Sequence, residues 1–194
     1  MMKKSEIIDI CKQTAAQFPG WEYSAGAFKN KEASPCIKVV YPFWSFSPGT
    51  ALSQPRVGFR HEVINGLFKK LMSFDAFLLS ACDIAERPSK YSSGLRFYDI
   101  AVDRAEEKIK TMLADGIDAL EKKYDFSSEK NLLENMPKHF EGNDGVSYCL
   151  VRAYLGDFDF VRAYRRDEIQ ITRGAKYYDQ IDKIIEHFGI DMQS

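Results

Sequence analysis

Ile7, Cys11, Ala15 and Phe18 recur at helical spacing, so residues 5–17 are expected to form an opening helix with one buried face, ended by Pro19 and Gly20. The period then shortens to two. Trp21, Tyr23, Ala25 and Ala27 alternate with polar or small neighbours, and residues 36–41 (CIKVVY) are rich in β-branched side chains. Two neighbouring strands are expected there, joined by a polar turn at 30–34. Residues 56–60 (RVGFR) read as a third strand, just after Pro55. Val63, Ile64, Leu67, Phe68 and Leu71 then follow the stripe of an amphipathic helix, although Gly66 costs it about 1 kcal/mol relative to alanine. Strand periodicity returns at 76–85 and 95–100, on either side of the turn-forming stretch 87–94 (RPSKYSSG).

Beyond residue 100 strand signals nearly vanish. Asp103 followed by Glu106 has the form of a capping box, and Ala105, Ile109, Met112, Leu113, Leu120 and Tyr124 supply a helical stripe. A shorter helix is expected from Ser127 through Leu132, Leu133 and Met136 to the break at Pro137, then a polar linker at 139–144. Val146, Cys149, Leu150, Ala153 and Tyr154 line the next helix; Gly156 ends it, and Asp157 can cap another that carries Phe160, Val161 and Tyr164. A final helix at 174–188, stopped by Gly189, places Tyr177, Tyr178, Ile181, Ile184, Ile185 and Phe188 on one side. The expected fold class is α+β: a mainly antiparallel sheet of about five strands with an N-terminal helix, followed by a C-terminal helical region.

Charge divides the chain along the same line. The 194 residues carry 27 Lys plus Arg against 28 Asp plus Glu. Within that balance, residues 1–100 hold 13 basic and 9 acidic side chains, and 101–194 hold 14 and 19. Opposite net charges favour the association of the two halves, and 101–194 is expected to pack on 1–100 as one compact domain. The small total disfavours general nucleic-acid binding, which requires a basic surplus, and it does so most firmly for the acidic half. No apolar run approaches the roughly 20 residues of a membrane span. The basic start MMKK is followed by Ser5, Glu6 and Asp9 rather than a signal core, so a cytoplasmic protein with no membrane partner is expected.

Candidate chemistry is sparse. The chain has no GxxxxGK[ST], GxGxxG or GxSxG motif, and the nearest approach to a zinc-protease signature, His61-Glu62, has Asn65 where the second histidine belongs. Cys11, Cys36, Cys82 and Cys149 show no CxxC spacing and read as buried thiols; His61, His139 and His187 fall in separate elements. Neither a metal nor another cofactor is expected. Arg56 and Arg60 share a strand face, with His61 beside them and Arg96 on another strand. That cluster could hold a carboxylate or phosphate, as a small-anion binder or enzyme would, or be an ion-paired surface. In the last helices Asp157, Asp159, Asp167 and Glu168 accompany Arg152, Arg162, Arg165 and Arg166, an alternation that reads as a solvated surface rather than a carboxylate pair for catalysis.

The aromatic stretch 41–50 (YPFWSFSPGT) is the most unusual. Phe43, Trp44 and Phe46 are candidates for an anchor on a protein partner. Because exposing three large aromatics invites aggregation, the favoured expectation is that this connection folds back over the sheet and closes the core. The tyrosines of the last helices carry the same pair of readings, packing or docking, with a homodimer through these helices as a third.

The opening helix, GAFKNK at 26–31, RVGFR at 56–60, SSEKNLLENMP at 127–137 and YLGDFDFVRAY at 154–164 resemble small bacterial α+β domains of unknown function. Some of these occur near polymorphic toxin systems and are suspected immunity proteins. The resemblance implies a protein that binds another macromolecule, as an immunity-type or regulatory partner, without catalysis. It carries over no catalytic or ligand residue.

Overall fold

The computed structural model describes residues 3–47, 50–73, 78–84, 97–136, 142–170 and 176–193. Helix α1 (Lys4–Ala15) buries Ile7, Cys11 and Ala15, and the Glu6 carboxylate accepts from the Lys3 N–H at 2.7 Å, satisfying one free donor of its first turn. The chain then makes a hairpin, β1 (Trp21–Ser24) and β2 (Ala27–Asn30). Ala25 and Gly26 form its turn at φ 49° and 80°, the left-handed pair that a two-residue hairpin needs. One expected strand is thus two, because alanine carries none of the usual sequence signal for that turn.

Strand β3 (Cys36–Tyr41) runs on past Pro42 and Phe43 into β4 (Trp44–Ser47), and β5 (Thr50–Ser53) runs past Gln54 and Pro55 into β6 (Arg56–His61). These arms form one long hairpin shared between two sheets: β3 pairs with β6 and β4 with β5, all antiparallel. The five-stranded sheet has the order β1-β2-β3-β6-β7, with β7 (Ser80–Asp83) at its edge. The smaller sheet has the order β4-β5-β8, with β8 (Tyr98–Ala101). The α+β class and the mainly antiparallel five-stranded sheet therefore stand, with three further strands in a second sheet. Residues 76, 77, 85, 95 and 96 of the two expected strands lie outside the described residues.

Helices cover one face of the large sheet. The inward row contains Phe28, Cys36, Val40, Val57, Phe59 and His61, all at least 98% buried. Helix α2 (Glu62–Met72) follows β6 directly, and α3 (Ala105–Lys123) crosses the sheet at Gly116, where an added Cβ would lie 2.8 Å from Val40. Lys38 shares the inward face but reaches its end, placing Nζ 4.8 Å from the Phe126 ring centre and 3.7 Å from Glu121. Asp103 does not cap α3: a 3-10 turn (Val102–Arg104) leads from β8 into the helix, and the cap residue Arg104 makes no side-chain capping bond. The chain continues through α4 (Glu129–Glu134), α5 (Gly142–Tyr154), α6 (Phe158–Arg165) and α7 (Tyr178–Phe188). Asp157 caps α6 by accepting from Phe160 N–H at 3.1 Å, and left-handed Gly189 ends α7. Residues 142–144, expected in a linker, begin α5. One buried cluster extends from Ile7 to Ile190, and no helix among the described residues is long and apolar enough to cross a membrane.

Cys11, Cys36 and Cys149 are free and buried. Burial pushes the Cys11 thiol up to about 12 and that of Cys36 to about 11, so both are neutral near pH 8. Iodoacetamide at pH 8 is expected to leave these three peptides unmodified in native protein and to label them fully in denaturant, as read by peptide mass spectrometry. Rapid labelling of any of the three in the native state would contradict this.

Candidate functional site

The hairpin bends where it passes from one sheet to the other. Phe43 sits there at φ 49°, a left-handed conformation that costs a bulky L-residue about 1–2 kcal/mol. Its ring packs edge-on against Tyr41 at 4.3 Å, with the Arg56 guanidinium 5.4 Å from its centre. Beyond the bend, Trp44 and Phe46 stand opposite Ser53 and Ala51 and so share the face of the small sheet that looks inward. Trp44 Nε1–H donates to the Tyr23 hydroxyl at 3.4 Å, which ties β4 to β1.

Tyr23, Tyr41, Phe43, Trp44 and Phe46 wall one side of a groove of about 550 Å³. Ile7 and Ile8 of α1 form the opposite side, Ser24, Ala25 and Gly26 of the β1–β2 turn close one end, and Lys4 and Lys12 stand on the α1 rim. Among the described residues no carboxylate lines it and neither lysine makes an ion pair. Burial pushes the Tyr23 phenol up to about 12, so this wall stays uncharged at neutral pH. The arrangement combines a polarisable aromatic surface with cations on one side, a set that receives apolar groups bearing nearby negative charge.

Phe43 and Phe46 are 43% and 44% exposed, and Trp44 is half-buried. The expectation that this stretch closes the core holds for Trp44, which packs against the main buried cluster, and not for Phe43 and Phe46, which stand exposed on the groove. The arginine cluster also divides. Arg56 and Arg60 share one face of β6, exposed and half-buried respectively, whereas His61 is one residue further on and points the other way into the core. Arg96 lies outside the described residues.

His61 is wholly buried and occupied at both ring nitrogens. Nδ1 accepts from the Ile64 N–H at 3.3 Å, capping α2, and Nε2 lies 2.9 Å from Glu129 Oε1. The cap assigns the neutral ring with its proton on Nε2, donated to Glu129. The Tyr154 hydroxyl donates to the same oxygen at 2.9 Å, and its ring stands edge-on to His61 at 5.3 Å. The bond from His61 holds the Glu129 carboxyl below its usual range, more than desolvation raises it, and Tyr154 adds to the lowering. His, Glu and Tyr resemble an acid–base set in kind. His61 stands where β6 passes into α2, Glu129 on α4 and Tyr154 on α5, so their bonds tie these elements together. Sequence reading found neither Glu129 nor Tyr154, which lie 68 and 93 residues along the chain from His61 and have no local motif.

Among the C-terminal charges, Arg152 pairs with Asp157, Arg162 with Asp159, and Arg165 makes two bonds to Asp182 at 2.6 and 3.1 Å. Lys176 Nζ meets Asp167 at 2.8 Å and donates to the carbonyls of Tyr164 and Ile169, which fastens Lys176 to the end of α6 and the residues just after it. The alternation is a paired surface. No protein-family model, curated protein or solved structure matches the chain.

Proposed function

We propose that this is a cytoplasmic bacterial protein of the immunity or regulatory type, which acts by binding a protein partner through the groove between α1 and β4. The observation that carries the reading is the exposure of Phe43 and Phe46 on a concave surface, with Phe43 held in a costly backbone conformation. Core packing requires neither. Aromatic side chains of this kind supply most of the binding energy at protein interfaces. The anion-binding alternative is weaker, since His61 has turned into the core and Arg56 lies on Phe43.

The reading is tested with a photo-cross-linking amino acid placed at position 46 and, as a control, at exposed Val63 on α2. In cells, one adduct of discrete mass is expected from position 46 and none from 63. Phe43→Ala should remove that adduct while leaving the melting temperature within about 3 °C, because surface substitutions usually change stability by less than about 0.5 kcal/mol. Absence of a discrete adduct at 46, or an equal one at 63, would sink the proposal.

A further inference from the structure

We infer that the groove takes an extended, acidic segment of its partner, which adds as a strand to the free edge of β4. This rests on the proposed partner-binding role and specifies its chemistry. In the order β4-β5-β8, strand β4 has a neighbour on one side only among the described residues. Among the described residues, its outer edge makes no backbone hydrogen bond. An antiparallel strand directs the N–H and C=O of alternate residues away from its partner, so that edge presents a row of unfilled donors and acceptors. The corresponding edge of β3 is filled by β2, which begins at Ala27 and leaves the line beside β4 open. The groove lies along that opening.

Two further observations select the occupant. Exposed edges are usually blunted by charge, proline or a bulge, yet β4 reads WSFS, with none of the first two. By contrast β1, an edge strand of the large sheet, carries Glu22 in an ion pair with Lys31. Lys4 and Lys12 are eight residues apart on α1, about 12 Å along the helix axis. Four residues of an extended strand span about 13 Å, so carboxylates at positions i and i+4 match the two ammonium groups while the residue between them meets Trp44 and Phe46. A polypeptide uses both the strand edge and the charges, whereas a nucleic acid would use only the charges and rings.

The probe is the heptapeptide TDTLTDT, capped at both ends and titrated to millimolar concentration into the ¹⁵N-labelled full chain. The Trp44 indole N–H reports the groove, and that of Trp21 is the control. Saturable shifts are expected at Trp44 and along β4. Binding should weaken at least tenfold in Lys4→Glu/Lys12→Glu and in Phe46→Ala. N-methylation of one alternate set of peptide amides should abolish binding, and methylation of the other set should leave it within threefold. If both methylated peptides bind as well as the parent while Phe46→Ala still weakens binding, strand addition is wrong and the groove remains a partner site. No saturable shift with TDTLTDT, equal binding of TKTLTKT, or Phe46-dependent binding of a ten-nucleotide oligothymidylate would each overturn the inference. The cross-linking result at position 46 judges the partner-binding role separately.

Discussion

Gly58→Ala is expected to destabilise the protein by about 3 kcal/mol or more, the upper end of the cost of overpacking. Gly58 lies on β6 directly against β7, and an added Cβ would stand 2.1 Å from the Ser80 carbonyl oxygen and 3.0 Å from the Ala81 Cα. Both obstacles are backbone, so no rotamer change relieves the clash. The strands must separate, weakening the ladder that holds β7. Two other glycines make this a graded test. At Gly116 the Cβ would meet Val40 and Val57 side chains at 2.8–3.3 Å, and alanine's better helix propensity, worth about 1 kcal/mol, offsets part of the strain. At Gly66, in the middle of α2, no atom lies within 4 Å, so alanine should stabilise by about 1 kcal/mol. Urea denaturation should rank the three variants Gly66→Ala, Gly116→Ala, Gly58→Ala from most to least stable. A Gly58→Ala protein as stable as the parent would mean that β7 does not pack against β6 as described.

His61→Ala should cost about 3 kcal/mol, because it removes the α2 cap and opens a cavity in the core. It also leaves α4 without its bond to the sheet. His61→Asn separates these contributions: asparagine is a good helix cap but is too short to reach Glu129, so about half of the loss should return. The pH dependence identifies the Glu129 contribution. A carboxyl whose folded pKa is depressed contributes stability that is complete above its unfolded value and disappears as pH falls through the folded one. Glu129 is such a group, with the His61 bond as the largest cause. The gap between wild type and Glu129→Gln should therefore be constant at neutral pH and narrow as pH drops below the ordinary glutamate value of about 4.3. A gap that persists unchanged to pH 2 would show that the charge on Glu129 adds nothing to stability.

The helices were the most readable part of the chain, since a stripe such as Ile109, Met112, Leu113 and Leu120 admits one period. Caps read well where the side chain is the cap, as with Asp157, and failed at Asp103, where a 3-10 turn arriving from β8 left no free first turn to cap. Short strands were harder. WSFS and TALS each hold four residues, too few for alternation to stand out, and their pairing depends on β8 some fifty residues away. The candidate site was half legible. Phe43, Trp44 and Phe46 stood out by composition, but the sequence contains nothing to say that α1 would supply Lys4 and Lys12 across from them. The separation of His61 from Arg60 was available from the period of two along β6, although its partners Glu129 and Tyr154 were not.

The long hairpin has a consequence for how such a protein can change over generations. Its base, from Cys36 opposite His61 to Tyr41 opposite Arg56, is locked by the central ladder, which fixes the register of everything beyond the bend. Its tip inherits that register and contributes only Ala51 and Ser53 as fully buried residues among 44–47 and 50–53. Mutations of its exposed residues can alter the face shown to another molecule while the ladder at the base remains intact. The bend thus divides one ribbon into a base tied into the central ladder and a tip whose outward residues can be exchanged with little loss of core packing.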